Sequence, residues 1–225
     1  MATRVEPGGR RKKKPLVHEG RALSCTASFE EAAHGEGFAR VAGLDEVGRG
    51  ALCGPVVAAA VVLGDGFDIE GLDDSKRLTC RQRERLAEHI RARAQAWAIG
   101  AAEPDEIDRF NILRATYLAM RRALAGLGAA PPDLLLVDAL VIPEVTVVQR
   151  AIVKGDALSV SIAAASIVAK VERDARMREW DARCPGYGLA RNMGYASAFH
   201  RDALHRLGPS QIHRRSFHGT QPWLF

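Results

Sequence analysis

A chain of 225 residues, 47% hydrophobic and 26% charged, is long enough for one domain with a true core and too apolar for an unfolded polyelectrolyte. It holds no apolar run of membrane-spanning length and no stretch that reads as a secretory signal. Its four cysteines, Cys25, Cys53, Cys80 and Cys184, form no C-x-x-C pair, which argues against a zinc site or a disulfide framework and for a reducing, cytoplasmic setting. Of 32 basic and 27 acidic residues, seven basic and two acidic fall within residues 1 to 21, so the tail holds the whole net charge of +5 and the remainder balances at 25 of each sign.

Residues 1 to 24 read as a disordered basic tail, charged and without apolar periodicity. The cluster Arg10 to Lys14 would attract phosphate backbones in a salt-sensitive way, or serve only as a solubilising tail. Val41-Ala-Gly-Leu-Asp-Glu-Val47 reads as a strand climbing to two adjacent carboxylates, Asp45 and Glu46. The turn Gly48-Arg49-Gly50 follows at once. Carboxylates at a buried strand tip need a cation or donors to answer them, and glycines let backbone approach a ligand closely. Val56 to Leu63 is continuous and β-branched, like a strand covered on both faces. Thr79 is placed to cap a helix running to about Ala94. Trp97 to Gly100 reads as a strand, residues 104 to 126 as one helix, and Pro131-Pro132 as its end.

Asp133 to Asp138 is an apolar strand ending in an acid, and Val145 to Val148 reads as a further short strand. Lys154-Gly155-Asp156 leads into a helix from about Ser159 to Asp181. The small residues at its start, Ile162-Ala163-Ala164-Ala165-Ser166, allow close packing on a sheet. Residues 183 to 195 read as a glycine-rich loop and 196 to 207 as a last helix. Residues 187 to 218 carry five arginines against one acid, Asp202, so this end is locally basic. Alternating strands and helices give an α/β fold class.

Ligands of open α/β sheets gather at the carboxyl ends of strands. If the strands carrying Asp45 and Asp138 are parallel neighbours, their carboxylates converge. With Glu46 and Asp156 they would form a four-acid cluster that needs divalent cations, and hard oxygen ligands suit Mg2+ or Mn2+. One feature resists this: in an ideal strand Asp45 and Glu46 point to opposite faces. Taken singly, Asp138 is equally a strand-ending turn residue and Asp156 a helix-leading acid that complements the helix dipole.

Taken together, these residues resemble the ribonuclease HII family. The likeness covers roughly residues 38 to 219 and appears in Gly43-Leu-Asp-Glu-Val-Gly-Arg-Gly50, Asp74-Ser-Lys-Arg-Leu78, Ile107-Asp108, Asn111-Ile112-Leu113 and Val137-Asp138. It continues in Lys154-Gly155-Asp156-Ala157, Ile162 to Lys170, Arg173-Asp174, Gly194-Tyr195, His200, Ala203-Leu204, Gly208-Pro209, His213-Arg214 and Ser216-Phe217. It implies a ribonuclease H-like mixed β-sheet flanked by helices, occupying residues 25 to 225 with a helical C-terminal portion from about 183.

The resemblance also implies an endoribonuclease, and a monomer is expected. It would cut the RNA strand of RNA–DNA hybrids and incise 5′ to a single ribonucleotide embedded in duplex DNA, leaving 3′-hydroxyl and 5′-phosphate ends. The catalytic, metal-binding acids fall on Asp45, Glu46, Asp138 and Asp156, holding two Mg2+ or Mn2+ ions. The ribose-reading turn falls on Gly48, Arg49 and Gly50, and a stacking tyrosine on Tyr195, which alone would be an ordinary loop aromatic.

Two departures stand out. Asn192-Met193 replaces a His-Lys, and Ala139-Leu140 replaces a Gly-Asn beside the acids. Lys76, Arg77 and Lys170 are candidate phosphate contacts or solvated surface cations, with Lys76 the foremost. Asp174 is expected in a structural ion pair, and His213 as a support of the C-terminal segment. His200, His205, His213 and His218 are not spaced as a metal cluster. Gln221-Pro-Trp-Leu-Phe225 is similar to short peptides that dock on the bacterial sliding clamp, while folding back on the domain is the plainer explanation. A non-catalytic hybrid-binding protein and a ribonuclease H-like DNA exonuclease are the alternatives. The intact acid quartet argues against the first, and the Gly-Arg-Gly turn against the second.

Overall fold

The computed structural model describes residues 25–64, 66–67, 72, 78–128 and 131–220; Lys76, the basic tail and the terminal Gln221–Phe225 peptide lie outside the described residues. Seven helices and five strands are placed among them: α1 (Ser28–Gly35), β1 (Val41–Val47), β2 (Val56–Val62), α2 (Cys80–Arg93), β3 (Ala96–Ala102), α3 (Pro104–Phe110), α4 (Ile112–Ala125), β4 (Leu134–Asp138), β5 (Val148–Ile152), α5 (Val160–Arg183), α6 (Leu189–Asn192) and α7 (Ala198–Leu207), with a 3-10 turn at Gly155–Ala157. None of the helices is long and apolar enough to cross a membrane.

The strands form one mixed sheet in the order β3-β2-β1-β4-β5. β1 pairs antiparallel with β2 and parallel with β4, so the central strand joins an antiparallel meander to a parallel pair. In that parallel pair Leu44 stands opposite Val137. α4 covers one face through Leu44, Ala58, Ala60, Ala119, Met120 and Val137. α5 covers the other, packing Ala164, Ala165 and Val168 against Val57, Ala59 and Val61. The small start of α5 serves the expected purpose: a β-carbon on Gly43 would lie 2.1 Å from the Ser161 carbonyl carbon, so helix and strand meet backbone to backbone.

Several boundaries differ from the sequence reading. Residues 104 to 126 form two helices, because Asn111 takes a left-handed φ of 69° and its side chain accepts from Leu113 N and Arg114 N as the cap of α4. The strand expected at Val145 to Val148 runs instead over Val148–Ile152. Its extent is set by parallel pairing with β4, while the Gln149 side chain stitches the preceding loop at Ile142. The loop expected over 183 to 195 contains the single turn α6. α1 was not anticipated; its buried Glu30 accepts from Ser159 Oγ and Ser161 N, which ties it to the start of α5. Thr79 caps α2 in a reciprocal capping box with Gln82.

Candidate active site

Asp45, Glu46, Asp138 and Asp156 line one cleft of about 320 Å³, together with Val47, Arg83, Ser166, Lys170 and Tyr195. The parallel register brings Asp45 and Asp138 together, one residue beyond the Leu44–Val137 pair on neighbouring strands. Asp156 arrives from the 3-10 turn after β5. That turn is fastened to β4, because Gly155 N donates to Asp138 Oδ1 at 2.8 Å. The opposed faces of Asp45 and Glu46 do not separate them, since β1 ends at Val47 and both carboxylates reach the same cleft.

The electrostatics are those of a crowded acid cluster. Burial, then repulsion from Glu46 and Asp138, holds the Asp45 carboxyl well above the usual carboxylate range, although Ser166 and the Glu46 N–H (2.7 Å) donate to it. Burial likewise raises Glu46. The Arg49 guanidinium, 3.3 Å from its Oε1, opposes that shift, and Asp138 adds to it. Glu46 Oε2 is buried without a hydrogen-bond partner among the described residues. A buried, unsatisfied carboxylate oxygen among mutually repelling acids is an environment that a hard divalent cation relieves, so the donor set fits Mg2+ or Mn2+.

The turn after β1 stands beside these acids. Gly48 has φ 94°, and a β-carbon there would lie 2.1 Å from Arg173 Nε. Among the described residues, no backbone carbonyl outside the sheet ladder takes the N–H of Arg49 or Gly50. Tyr195, 38% exposed, faces the cleft with Arg173 5.4 Å from its ring centroid. Lys170 also lines the cleft, but its ammonium pairs with Asp174 at 2.7 Å, the ion pair expected of Asp174.

The sequence reading gave no role to Arg83 and Ser166. Both are spaced to reach the cleft only once α2 and α5 are docked. Nor did it anticipate that Cys53, His200 and His213, all buried, place their ligand atoms within 4.8 Å of one another. Hydrogen bonds assign this cluster another role. Ser210 N donates to His213 Nδ1 (2.9 Å), which puts the His213 proton on Nε2. His213 Nε2 then donates to His200 Nε2 (3.0 Å), and His200 Nδ1 donates to Tyr195 O (2.9 Å). A metal held at both Nε2 atoms would need a proton on His213 Nδ1, against the Ser210 N–H. Burial lowers both imidazoles, His213 to about 4 with repulsion from His200 second, and pushes the Cys53 thiol up to about 12. The result is a neutral relay that ties the C-terminal segment to Tyr195, in line with the supporting role expected of His213.

The two departures from the family pattern have structural readings. The Asn192 amide donates to Tyr187 O and accepts from Gly194 N, closing the loop before Tyr195. Met193 and Ala139 both sit at left-handed φ, 50° and 51°.

Known proteins resemble this chain over most of its length. The family model described as Ribonuclease HII matches residues 42–220. A ribonuclease HII of Myxococcus xanthus is 53% identical over 200 residues, 88% of this chain and 68% of that protein. One of Syntrophotalea carbinolica is 50% identical over 196 residues, 87% and 93% respectively. The crystal structure of the ribonuclease H2 of Pyrococcus horikoshii superposes with a TM-score of 0.68 at 29% identity, covering 80% of this chain and 95% of that one. The ribonuclease HII of Archaeoglobus fulgidus, solved in complex with PCNA, gives 0.64 at 29% identity over 78% and 92%.

Proposed function

This chain belongs to the ribonuclease HII family, a family of metal-dependent ribonucleases H, and on that premise we propose that it cuts the RNA strand of RNA–DNA hybrids and incises 5′ to single ribonucleotides embedded in duplex DNA. The observation that carries the reading is the juxtaposition of four carboxylates on β1, β4 and the 3-10 turn with a turn whose Arg49 and Gly50 N–H groups meet no backbone acceptor among the described residues. Asp45, Glu46, Asp138 and Asp156 are the metal-holding acids. Two divalent ions bound there would supply an activated water and neutralise the departing 3′-oxygen.

The chain's own groups do the rest. Gly155 N–H fixes the Asp138 carboxylate, and Ser166 with the Glu46 N–H fixes Asp45, so the donor oxygens are oriented before substrate arrives. The N–H groups of Gly48, Arg49 and Gly50 meet the sugar whose 2′-hydroxyl separates RNA from DNA. Tyr195 stacks on the deoxyribose that follows the junction. Lys76, of the Asp74-Ser-Lys-Arg-Leu78 motif, grips a phosphate. The domain spans residues 25 to 225 and works as a monomer. The basic tail adds non-specific affinity, and Gln221–Phe225 docks on a sliding clamp, a reading supported by the Archaeoglobus relative solved with PCNA.

The test is a duplex with one embedded ribonucleotide, assayed with Mg2+, with Mn2+ and with chelator. Incision 5′ to the ribonucleotide that chelator and Asp138→Asn both abolish is expected. No cut, or a cut indifferent to Asp138→Asn, ends the reading. Deleting residues 221 to 225 should weaken clamp binding, and unchanged affinity removes that contact.

A further inference from the structure

Two fully buried guanidiniums, Arg173 and Arg214, stand behind the turn at Gly48–Gly50, and neither forms a salt bridge among the described residues. A buried charge without a counter-ion persists only if its donors are well satisfied. Here the acceptors are backbone carbonyls. Arg214 donates from Nη2 to Gly48 O (2.7 Å) and Gly54 O (2.8 Å), from Nη1 to Arg49 O (2.8 Å), and from Nε to Gly54 O (3.0 Å). Phe217 lies 5.0 Å from its guanidinium carbon. Arg173 donates to Pro55 O, Met193 O and Cys53 O. Burial and then Arg173 push Arg214 down to about 9, so it keeps its charge at neutral pH.

A trans peptide fixes the consequence. The C=O of one residue and the N–H of the next point in opposite directions. Arg214 draws the Gly48 and Arg49 carbonyls inward, so the N–H groups of Arg49 and Gly50 are turned away from it, and those N–H groups meet no backbone acceptor among the described residues. A cationic donor also polarises both peptides, strengthening their N–H groups as donors. The preceding residue, His213, holds Tyr195 through the His200 relay.

We propose that Arg214 is a positioning residue for sugar discrimination: from beneath the turn it aims the Arg49 and Gly50 N–H groups at the 2′-hydroxyl. The proposal rests on the reading that this turn senses ribose. It gives Arg214 a share in choosing ribose over deoxyribose beyond any share in general nucleic-acid affinity.

The test compares dissociation constants for two duplexes of one sequence, with and without a single ribonucleotide, in Mg2+ and in an Asp138→Asn background that does not cut. With Arg214→Lys added, and folding checked by circular dichroism, the preference for the ribonucleotide duplex should fall by about threefold to tenfold for each hydrogen bond lost, with little change for the all-deoxy duplex. A folded Arg214→Lys protein with undiminished preference overturns the inference. If Arg214→Lys does not fold, Phe217→Leu, which loosens the guanidinium without removing it, decides. A reduced preference supports the inference and an unchanged one overturns it. An Asp138→Asn parent that binds both duplexes equally overturns the ribose-reading turn itself, and the Arg214 inference with it. A parent preference that persists undiminished in the Arg214 or Phe217 variant overturns the inference alone.

Discussion

Gly43 of β1 and Ser161 of α5 meet with no room for a methyl group between them: the missing β-carbon would stand 2.1 Å from the Ser161 carbonyl carbon and 2.4 Å from Ile162 N. Both sides of the contact are backbone, so neither can rotate away. Gly43→Ala should therefore cost about 3 kcal/mol, the upper end for overpacking, read as a lower midpoint in urea unfolding. Because α5 also carries Ser166 and Lys170 to the cleft, any folded fraction should bind Mn2+ less tightly.

The acid cluster should be a source of instability that metal relieves. Burial holds the Asp45 carboxyl well above its ordinary value in the folded state and raises Glu46 as well. Each contributes stability that is full below the unfolded carboxylate range and is lost as pH rises through the folded value. In chelator at pH 7, Asp45→Asn should raise stability by on the order of 1–2 kcal/mol, or roughly 2–8 °C in Tm. Mg2+ should narrow that gap, while incision falls by about a hundredfold or more. Parallel thermal melts and cleavage assays check both halves.

The histidine relay sets an acid limit. His213 is buried neutral, and its folded value is held to about 4 against the usual 6.5. The folded state therefore binds fewer protons than the unfolded chain between those values. Stability from this group is complete above about pH 6.5 and drains away as pH falls toward 4, by about 3 kcal/mol in all. Denaturant midpoints measured across pH 4 to 7 should show this slope, and His213→Gln should flatten it while lowering stability at pH 7.

Ala139 and Met193 share a left-handed backbone but should respond oppositely to glycine. Ala139 loses only a methyl group, so Ala139→Gly should stabilise by about 1 kcal/mol through relief of φ 51°. Met193 packs against the C-terminal apolar cluster, so Met193→Gly gives up apolar burial that offsets the relief and should not stabilise. Chemical denaturation of the two variants side by side separates them.

The strands that carry Asp45 and Asp138 were legible because each is an apolar run ended by an acid, and burial of a strand on both faces writes that run into the sequence. Their convergence was conditional on a parallel pairing that no local pattern encodes, and the sheet supplies it. The break at Asn111 escaped notice because apolar spacing continues across it; only the side-chain cap and a left-handed φ mark it. β5 was misplaced because its residues include Gln149 and Arg150, and pairing with β4 outweighs strand propensity there. The His200–His213 relay and the Arg214 contacts join residues 13 and about 160 positions from their partners, where periodicity carries no information. Their side chains satisfy distant backbone groups, which only the folded chain brings within reach.

The β1–β4 alignment also acts as a ruler for catalysis. Side chains alternate along a strand, so a slip of one position would carry a carboxylate through the thickness of the sheet. One residue inserted or deleted between Val41 and Leu44 would also set a side chain where Gly43 meets Ser161, so the same error that scatters the acids would loosen the helix behind them.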